Sequence, residues 1–220
     1  METESRDSVS LKPAELDEFG QLLTSVSLPC DDTLEEQVER FPLIITAKAD
    51  DEFHGFLFGS LERIGGTPCI LWGLGAIRKG KTATAALKGI TAELYRRASI
   101  SFPDEDVLVG ARVAHTAAYS LIQQLDDVVP RPGYTATGEE RAWGRRLAKR
   151  FGCEERYDDQ AFRVNPGTRA EPLFDTGAVK LGGKVAVEVV GEPDASTGES
   201  LITFGWATAE ALLDGLVRPS

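Results

Sequence analysis

The residues best placed to do chemistry in this 220-residue chain are a run of cations, Arg78-Lys79-Gly80-Lys81-Thr82. They stand between an apolar run at 69–77 and a segment at 83–98 that reads as a helix; the apolar run reads as a buried strand. Strand, cationic loop and helix start together make an anion site. The first turn of a helix has unpaired N–H groups, and its dipole favours negative charge. Lys79 and Lys81 add full charges beside it, so the expected guest is a phosphate or pyrophosphate. His115 follows a second apolar run, 107–113, at the start of another helix. An imidazole as a chemical group can exchange a proton near neutral pH, which makes His115 a candidate general base; the alternative is a helix-start residue bonded to nearby backbone. Tyr119, one turn on, is either a proton donor or a core tyrosine. Arg112 ends the run 107–113, either to bind an acidic substrate or to form a structural ion pair. His54 follows an acidic turn and reads as a surface residue.

One motif competes for the loop. Gly75 to Thr82 satisfies G-x-x-x-x-G-K-[ST], the nucleotide-binding P-loop pattern. In that reading Lys81 meets the terminal phosphates and Thr82 a magnesium ion. A P-loop enzyme also needs a metal-holding Asp at the end of a later strand. Here the strand 107–113 carries Arg112 at that end, and the acids 104–106 lie at the other. The elements before the loop also differ. Runs at 44–48, 53–62 and 69–77 are joined by short polar turns at 50–52 and 64–68, which predicts an antiparallel meander. Parallel strands need crossovers of about a dozen residues or more.

The wider element order has a recognisable shape. A short strand is expected at 9–12 and a helix from Pro13, with Leu16, Phe19, Leu22 and Leu23 at helical spacing. A second helix, acidic in its first turn, is expected at 32–40. Three strands, the basic loop, a helix, the strand 107–113 and a helix at 115–125 follow. Over residues 8–125 this order resembles the Gcn5-related N-acetyltransferase superfamily. VSLKPAELDEFGQLL looks like its first strand and helix, FHGFLFGSLERI and CILWGLGAI like its paired central strands. KGKTATAAL is similar to its pyrophosphate loop, and VLVGARVAHTAAYSLI to its fifth strand and fourth helix. With Lys79 at the loop's Arg/Gln position, Thr82 and Thr84 stand where small residues are usual.

The resemblance implies an α/β fold: a mixed, mostly antiparallel central sheet flanked by helices, acyl-CoA N-acyltransferase-like, with an enlarged C-terminal half. It implies acetyl-CoA as co-substrate, with the pyrophosphate on Ile77, Arg78, Lys79, Gly80, Lys81, Thr82, Ala83 and Thr84. The pantetheine arm would lie between splayed strands at 69–77 and 107–113. The reaction implied is acyl transfer to an amine of a small molecule, with His115 and Tyr119 as the candidate base and acid. Two other classes stay open: a P-loop nucleotide-dependent enzyme using 75–82, and a non-catalytic binding protein on the same fold.

Composition bounds these readings. The net charge is −11, and 42% of residues are hydrophobic. Residues 1–60 hold 4 basic and 14 acidic side chains, residues 61–170 hold 17 and 13, and residues 171–220 hold 3 and 8. The overall sign argues against nucleic acid as a partner, and the positive middle suits an anionic cofactor. No apolar run is long enough to span a membrane, and the polar start lacks a signal-peptide core. Cys30, Cys69 and Cys153 form neither a disulfide framework nor a metal spacing, which points to a reduced cytoplasm and no metal site. A homodimer is left open.

Residues 1–125 thus read as the core, and 126–220 as an extension that completes the sheet. Thr137-Gly-Glu-Glu140 is a capping box opening a basic helix at about 138–151. Trp143, Leu147 and Phe151 share one face; Arg145, Arg146, Lys149 and Arg150 occupy the rest, either meeting phosphate or facing solvent. Residues 167–176 read as irregular, 184–190 and 200–206 as strands, and 208–216 as a short helix.

Overall fold

The computed structural model describes residues 1–26, 34–50, 52–168, 173–175 and 179–213. In chain order the elements are β1 (Glu2–Asp7), α1 (Pro13–Ser25), α2 (Leu34–Arg40), β2 (Leu43–Ala49), β3 (Glu52–Ile64) and β4 (Thr67–Ile77). Then come α3 (Ala83–Ser101), β5 (Val107–Val113), α4 (Thr116–Ile122), β6 (Asp126–Val129) and α5 (Gly138–Arg150). The chain continues through β7 (Tyr157–Asp158), β8 (Arg163–Val164), β9 (Phe174–Asp175), α6 (Lys184–Val190), β10 (Ser200–Ala207) and α7 (Ala209–Leu213).

The described strands form one mixed sheet in the order β1-β2-β3-β4-β5-β10-β8-β7, with β6 also on β10 and β9 also on β4. All these pairings are antiparallel except β4 with β5 and β4 with β9. The middle strands are apolar almost throughout because helices cover both of their faces. From α1, Phe19 stacks on Phe56 at 4.3 Å and on Phe53 at 5.2 Å between ring centroids. From α5, Leu147 sits over Gly110, where a Cβ would meet its side chain at 2.8 Å. From α3, Leu94 sits over Gly59 at 3.3 Å by the same measure. Side chains alternate along a strand, so Phe56 and Ser60 share one face and Gly59 takes the other. Ser60 lies opposite Leu71, and Leu71 opposite Gly110. Helices α1 and α5 therefore cover one face, and α3 the other.

The break in the sheet lies in β4. Leu57 opposes Gly75 while Gly59 opposes Trp72, so β4 carries one extra residue between them. This bulge at Gly73-Leu74 bends the strand. Parallel pairing of β4 with β5 runs from Cys69–Leu108 to Trp72–Ala111 and stops there. Past that point the two strands part.

Three sequence expectations need correction. The first strand is Glu2–Asp7, and residues 8–10 form a single 3-10 turn rather than a strand. β1 is a polar edge strand with no apolar alternation to reveal it, and charged edges discourage pairing with other chains. Residues 184–190 form helix α6, not a strand. The run of β-branched residues suggested a strand, but Ala186 and Val190, four apart, are the buried pair, so burial overrides propensity. In the stretch expected to be irregular, Phe174 and Asp175 join the sheet. By contrast, the meander β2–β4, α3, β5, β10 and the α5 capping box fall where the sequence placed them. Glu140 N–H donates to Thr137 Oγ1 at 3.2 Å, and Thr137 N–H to the Glu140 carboxylate at 2.6 Å.

The bulge supplies a stability prediction. A Cβ on Gly73 would lie 2.9 Å from both the Phe41 ring and the Phe58 carbonyl oxygen. Overpacking against backbone costs roughly 1–3 kcal/mol. Gly73→Ala should therefore lower the urea midpoint with little change in the slope of the transition. A wild-type midpoint would show that β4 can relax around the added methyl.

Candidate functional site

The cationic loop is built by two strands and a helix. β4 ends at buried Ile77; Arg78, Lys79, Gly80 and Lys81 are exposed; Thr82 and Thr84 are half-buried and Ala83 is buried. Thr82 is the N-cap of α3, and no side chain caps it. Ala83 N–H is taken by the Gly80 carbonyl at 3.3 Å and Ala86 N–H by the Thr82 carbonyl at 2.9 Å. The N–H groups of Thr84 and Ala85 have no partner among the described residues. Two open donors, a helix dipole and the exposed Lys79 and Lys81 thus point to one spot.

β3 fixes this loop in place. Ala47 opposes Gly55 and Lys48 opposes Phe53, so His54 is the extra residue of a bulge in β3. The Arg78 N–H donates to the His54 carbonyl at 2.8 Å, and Arg78 Nε to the Phe53 carbonyl at 2.7 Å. His54 Nδ1 lies 3.1 Å from Thr82 Oγ1. His54 is buried, not the surface residue expected from its acidic neighbours. The signal that could have found it is Gly55, because a glycine inside a strand often marks a bulge. Arg78 anchors the loop to β3 through its backbone N–H and Nε while staying exposed, so Arg78, Lys79 and Lys81 all face solvent.

The P-loop reading loses its geometry here. Gly75, Ala76 and Ile77 are strand residues paired with Leu57, Phe56 and Gly55 of β3. An eight-residue loop that wraps phosphates cannot form while its first three residues lie in a sheet.

The opening between β4 and β5 does not face an empty groove. β9 runs parallel to β4 there, pairing Phe174 with Gly75 and Asp175 with Ala76. Gly75 N–H donates to the Leu173 carbonyl at 3.3 Å. Both Leu173 and Phe174 are buried.

The remaining candidates are spread along the C-terminal end of β5. His115 is the N-cap of α4, in an extended conformation with no side-chain cap bond. It borders a cavity of about 320 Å³ lined by Ala114, His115, Thr116, Val179, Gly191, Glu192 and Pro193. Tyr119 is fully buried, and its hydroxyl donates to the Pro130 carbonyl at 2.8 Å. Burial raises its pKa above the usual phenol value. In this arrangement the Tyr119 proton is held by the Pro130 carbonyl rather than offered to a leaving group. Arg112 is buried, with Nε on Ser200 Oγ at 2.7 Å and Nη2 on the Gly198 carbonyl at 2.6 Å. It ties β5 to the start of β10.

Of the α5 cations, Arg150 serves packing, while Arg145, Arg146 and Lys149 are exposed. Arg150 grips Glu62 on β3 with two bonds of 2.9 and 3.0 Å, donates to the Arg40 carbonyl and lies over the Phe41 ring. Arg145 pairs with Asp159, Arg146 stacks on Trp143, and Arg141 donates to the Ala136 carbonyl. Burial pushes the Cys69 thiol up to about 11, so it stays protonated at neutral pH. Cys30 lies outside the described residues. Among the described residues no group of His, Cys, Asp and Glu is arranged to hold a metal ion, and no helix is long and apolar enough to cross a membrane.

No family model matches the sequence, and no curated protein matches it. Several solved structures are similar in fold. An aminoglycoside 6'-N-acetyltransferase from Enterococcus faecium aligns at 17% identity and TM-score 0.41, over 53% of this chain and 65% of that one. An acyl-CoA N-acyltransferase from Pseudomonas aeruginosa aligns at 19% identity and TM-score 0.39, over 54% and 82%. An aminoglycoside 6'-acetyltransferase type Ii aligns at 17% identity and TM-score 0.42, over 60% and 88%. The chain thus spans just under two thirds of the first of these. Function is accordingly read from the loop and the cleft.

The α5 anchor is testable by pH. Burial alone would raise the Glu62 pKa, but hydrogen bonds from Arg150 and Ser60 and the charge of Arg150 outweigh it and hold the carboxyl below its reference of 4.5. A depressed carboxylate contributes stability above its unfolded pKa and loses it as pH falls through its folded value. Wild-type stability should therefore fall more steeply than that of Glu62→Gln as pH drops below about 4.5. Parallel pH curves for the two proteins would show that this pair does not couple α5 to β3.

Proposed function

We propose that the chain is an acyl-CoA-dependent N-acyltransferase, a divergent relative of the Gcn5-related superfamily. The observation that carries this reading is the cationic start of α3, past the point where a parallel strand pair parts. Within it, residues 77–84 receive the pyrophosphate of the co-substrate. Lys79 and Lys81 supply charge, and the N–H groups of Thr84 and Ala85 supply directed donors. Thr82 is braced by His54 and keeps the helix start in register with the end of β3. Acetyl-CoA is the proposed donor, and a small-molecule amine the proposed acceptor, in a soluble cytoplasmic setting. The surplus of acidic residues suits a cationic acceptor better than a nucleic acid.

The residues fit the two ends of such a ligand differently. The loop fits a diphosphate. The cleft between β4 and β5 does not fit an extended pantetheine arm while 173–175 occupy its β4 edge. When bound, an acyl-CoA would supply an activated thioester. The protein's own part is to hold phosphate at the loop and to manage the proton of the attacking amine. His115 is proposed for that proton, since it stands at the end of β5 beside an open cavity. Glu192, on the same cavity, adds negative charge that favours a cationic amine. The filled cleft favours a second reading, a protein that keeps the fold and the anion site but binds without transferring.

Two measurements bear on this. Lys79→Glu combined with Lys81→Glu should weaken CoA binding by roughly 10²-fold or more in calorimetry, because two charge-assisted contacts are reversed. The fold should persist, as both side chains are exposed. Undiminished affinity in the folded double variant would place the phosphate site elsewhere. His115→Asn should lower acyl-transfer turnover by roughly 10²-fold with CoA affinity kept. Normal turnover across the neutral range would remove His115 as the base and leave amine deprotonation to water.

A further inference from the structure

The cleft beyond Trp72 is filled from within the chain. Gly75 gives its N–H to Leu173, and β9 pairs with Gly75 and Ala76 in parallel. The Phe174 ring meets Trp72 edge-on, 5.8 Å between centroids, and is fully buried. A Cβ on Gly75 would lie 2.9 Å from that ring and 2.5 Å from the Phe56 carbonyl oxygen. The glycine therefore leaves room for β3 on one side and for Phe174 on the other.

We propose that residues 173–175 form a displaceable strap that holds the β4 edge closed, and that a ligand with an extended amide-bearing arm must expel it in order to bind. The inference rests on the reading of 77–84 as a diphosphate site. Its logic is that of backbone pairing. The edge of β4 past the bulge offers each N–H and C=O in one direction only. The strap and an amide-bearing arm would take the same donors and acceptors, so one excludes the other. The phosphate loop lies past the end of β4 and shares no described pairing with the strap. The two halves of one CoA molecule should therefore respond differently. The nucleotide half binds whether the strap is in or out. The pantetheine half binds only to the strap-out fraction, which lowers the apparent affinity of the whole ligand by that fraction.

The test compares CoA with phosphorylated ADP, its nucleotide half without the arm, on wild type and Phe174→Ala. Removing the ring loosens the strap, so CoA should bind the variant roughly tenfold or more tightly than it binds wild type. Phosphorylated ADP should bind both proteins alike. Because a buried phenylalanine can matter for folding, a second readout uses wild type alone. Amide hydrogen exchange at 173–175 should accelerate with saturating CoA and stay unchanged with phosphorylated ADP. If CoA binds wild type with no change in exchange at 173–175, the strap is overturned and the phosphate reading survives. Equal CoA affinity in wild type and a folded Phe174→Ala overturns the strap in the same way. If neither ligand binds either protein, the phosphate reading falls and the strap falls with it.

Discussion

The structure turns on a parallel strand pair that ends early. β4 and β5 share four residue pairs and then separate, because the bulge at Gly73-Leu74 bends β4 away. A buried strand edge cannot be left bare, since unpaired backbone N–H and C=O groups are costly away from water. Some chain or ligand must complete the edge at Gly75 and Ala76. Here the chain does so itself, with Leu173, Phe174 and Asp175. The C-terminal half thus meets the sheet at two places: β10, with β6, β8 and β7, extends it beyond β5, and β9 closes the gap that the bulge opens.

A second bulge organises the anion loop. The extra residue at His54 turns its carbonyl toward the Arg78 N–H and its ring toward Thr82. These bonds set where β4 stops and α3 starts. The direction of the free Thr84 and Ala85 N–H groups is therefore decided in β3, some thirty residues earlier in the chain. Lys79 and Lys81 add charge to a geometry that backbone has already set. Arg78, exposed like them, also clamps the loop to β3 through its Nε.

What could be read from the sequence follows from this. Long apolar runs between polar turns report the meander, because burial on both faces leaves a strong signal. The cationic loop and the Thr137–Glu140 box are local patterns with local mechanisms, and both stand where they were expected. The misses have non-local causes. β1 is a strand only because β2 offers it an edge, and nothing apolar in Glu2–Asp7 announces it. α6 is helical because Ala186 and Val190 are the residues that face inward. β9 is two residues long and owes its pairing to a gap elsewhere in the chain. Tyr119 reads from the sequence as a core or a functional residue and Arg112 as an ion-pair or a functional one; their partners, the Pro130 carbonyl and Ser200, lie beyond what spacing can reveal.

Energetics decide whether the strap belongs to the core or to the site. Burying Leu173 and Phe174 contributes about 1.5–3 kcal/mol each. Ordering three backbone residues costs about 1–2 kcal/mol apiece, with side-chain entropy in addition. These terms nearly cancel, so what holds the strap is its backbone pairing with Gly75 and Ala76. β3 and β4 are different: they share nine residue pairs, and helices cover both of their faces. A ligand arm that satisfies the same backbone groups would replace that pairing, while the walls of the cleft stay fixed. The two glycines of β4 fit this division. Gly73 is crowded by Phe41 and the Phe58 carbonyl, which are parts of the permanent fold. Gly75 is crowded by the Phe56 carbonyl on one side and by Phe174 on the other. The first glycine serves the bulge alone. The second keeps one side of β4 flat enough to pair with whatever lies along it, and in this structure that is a piece of the same chain.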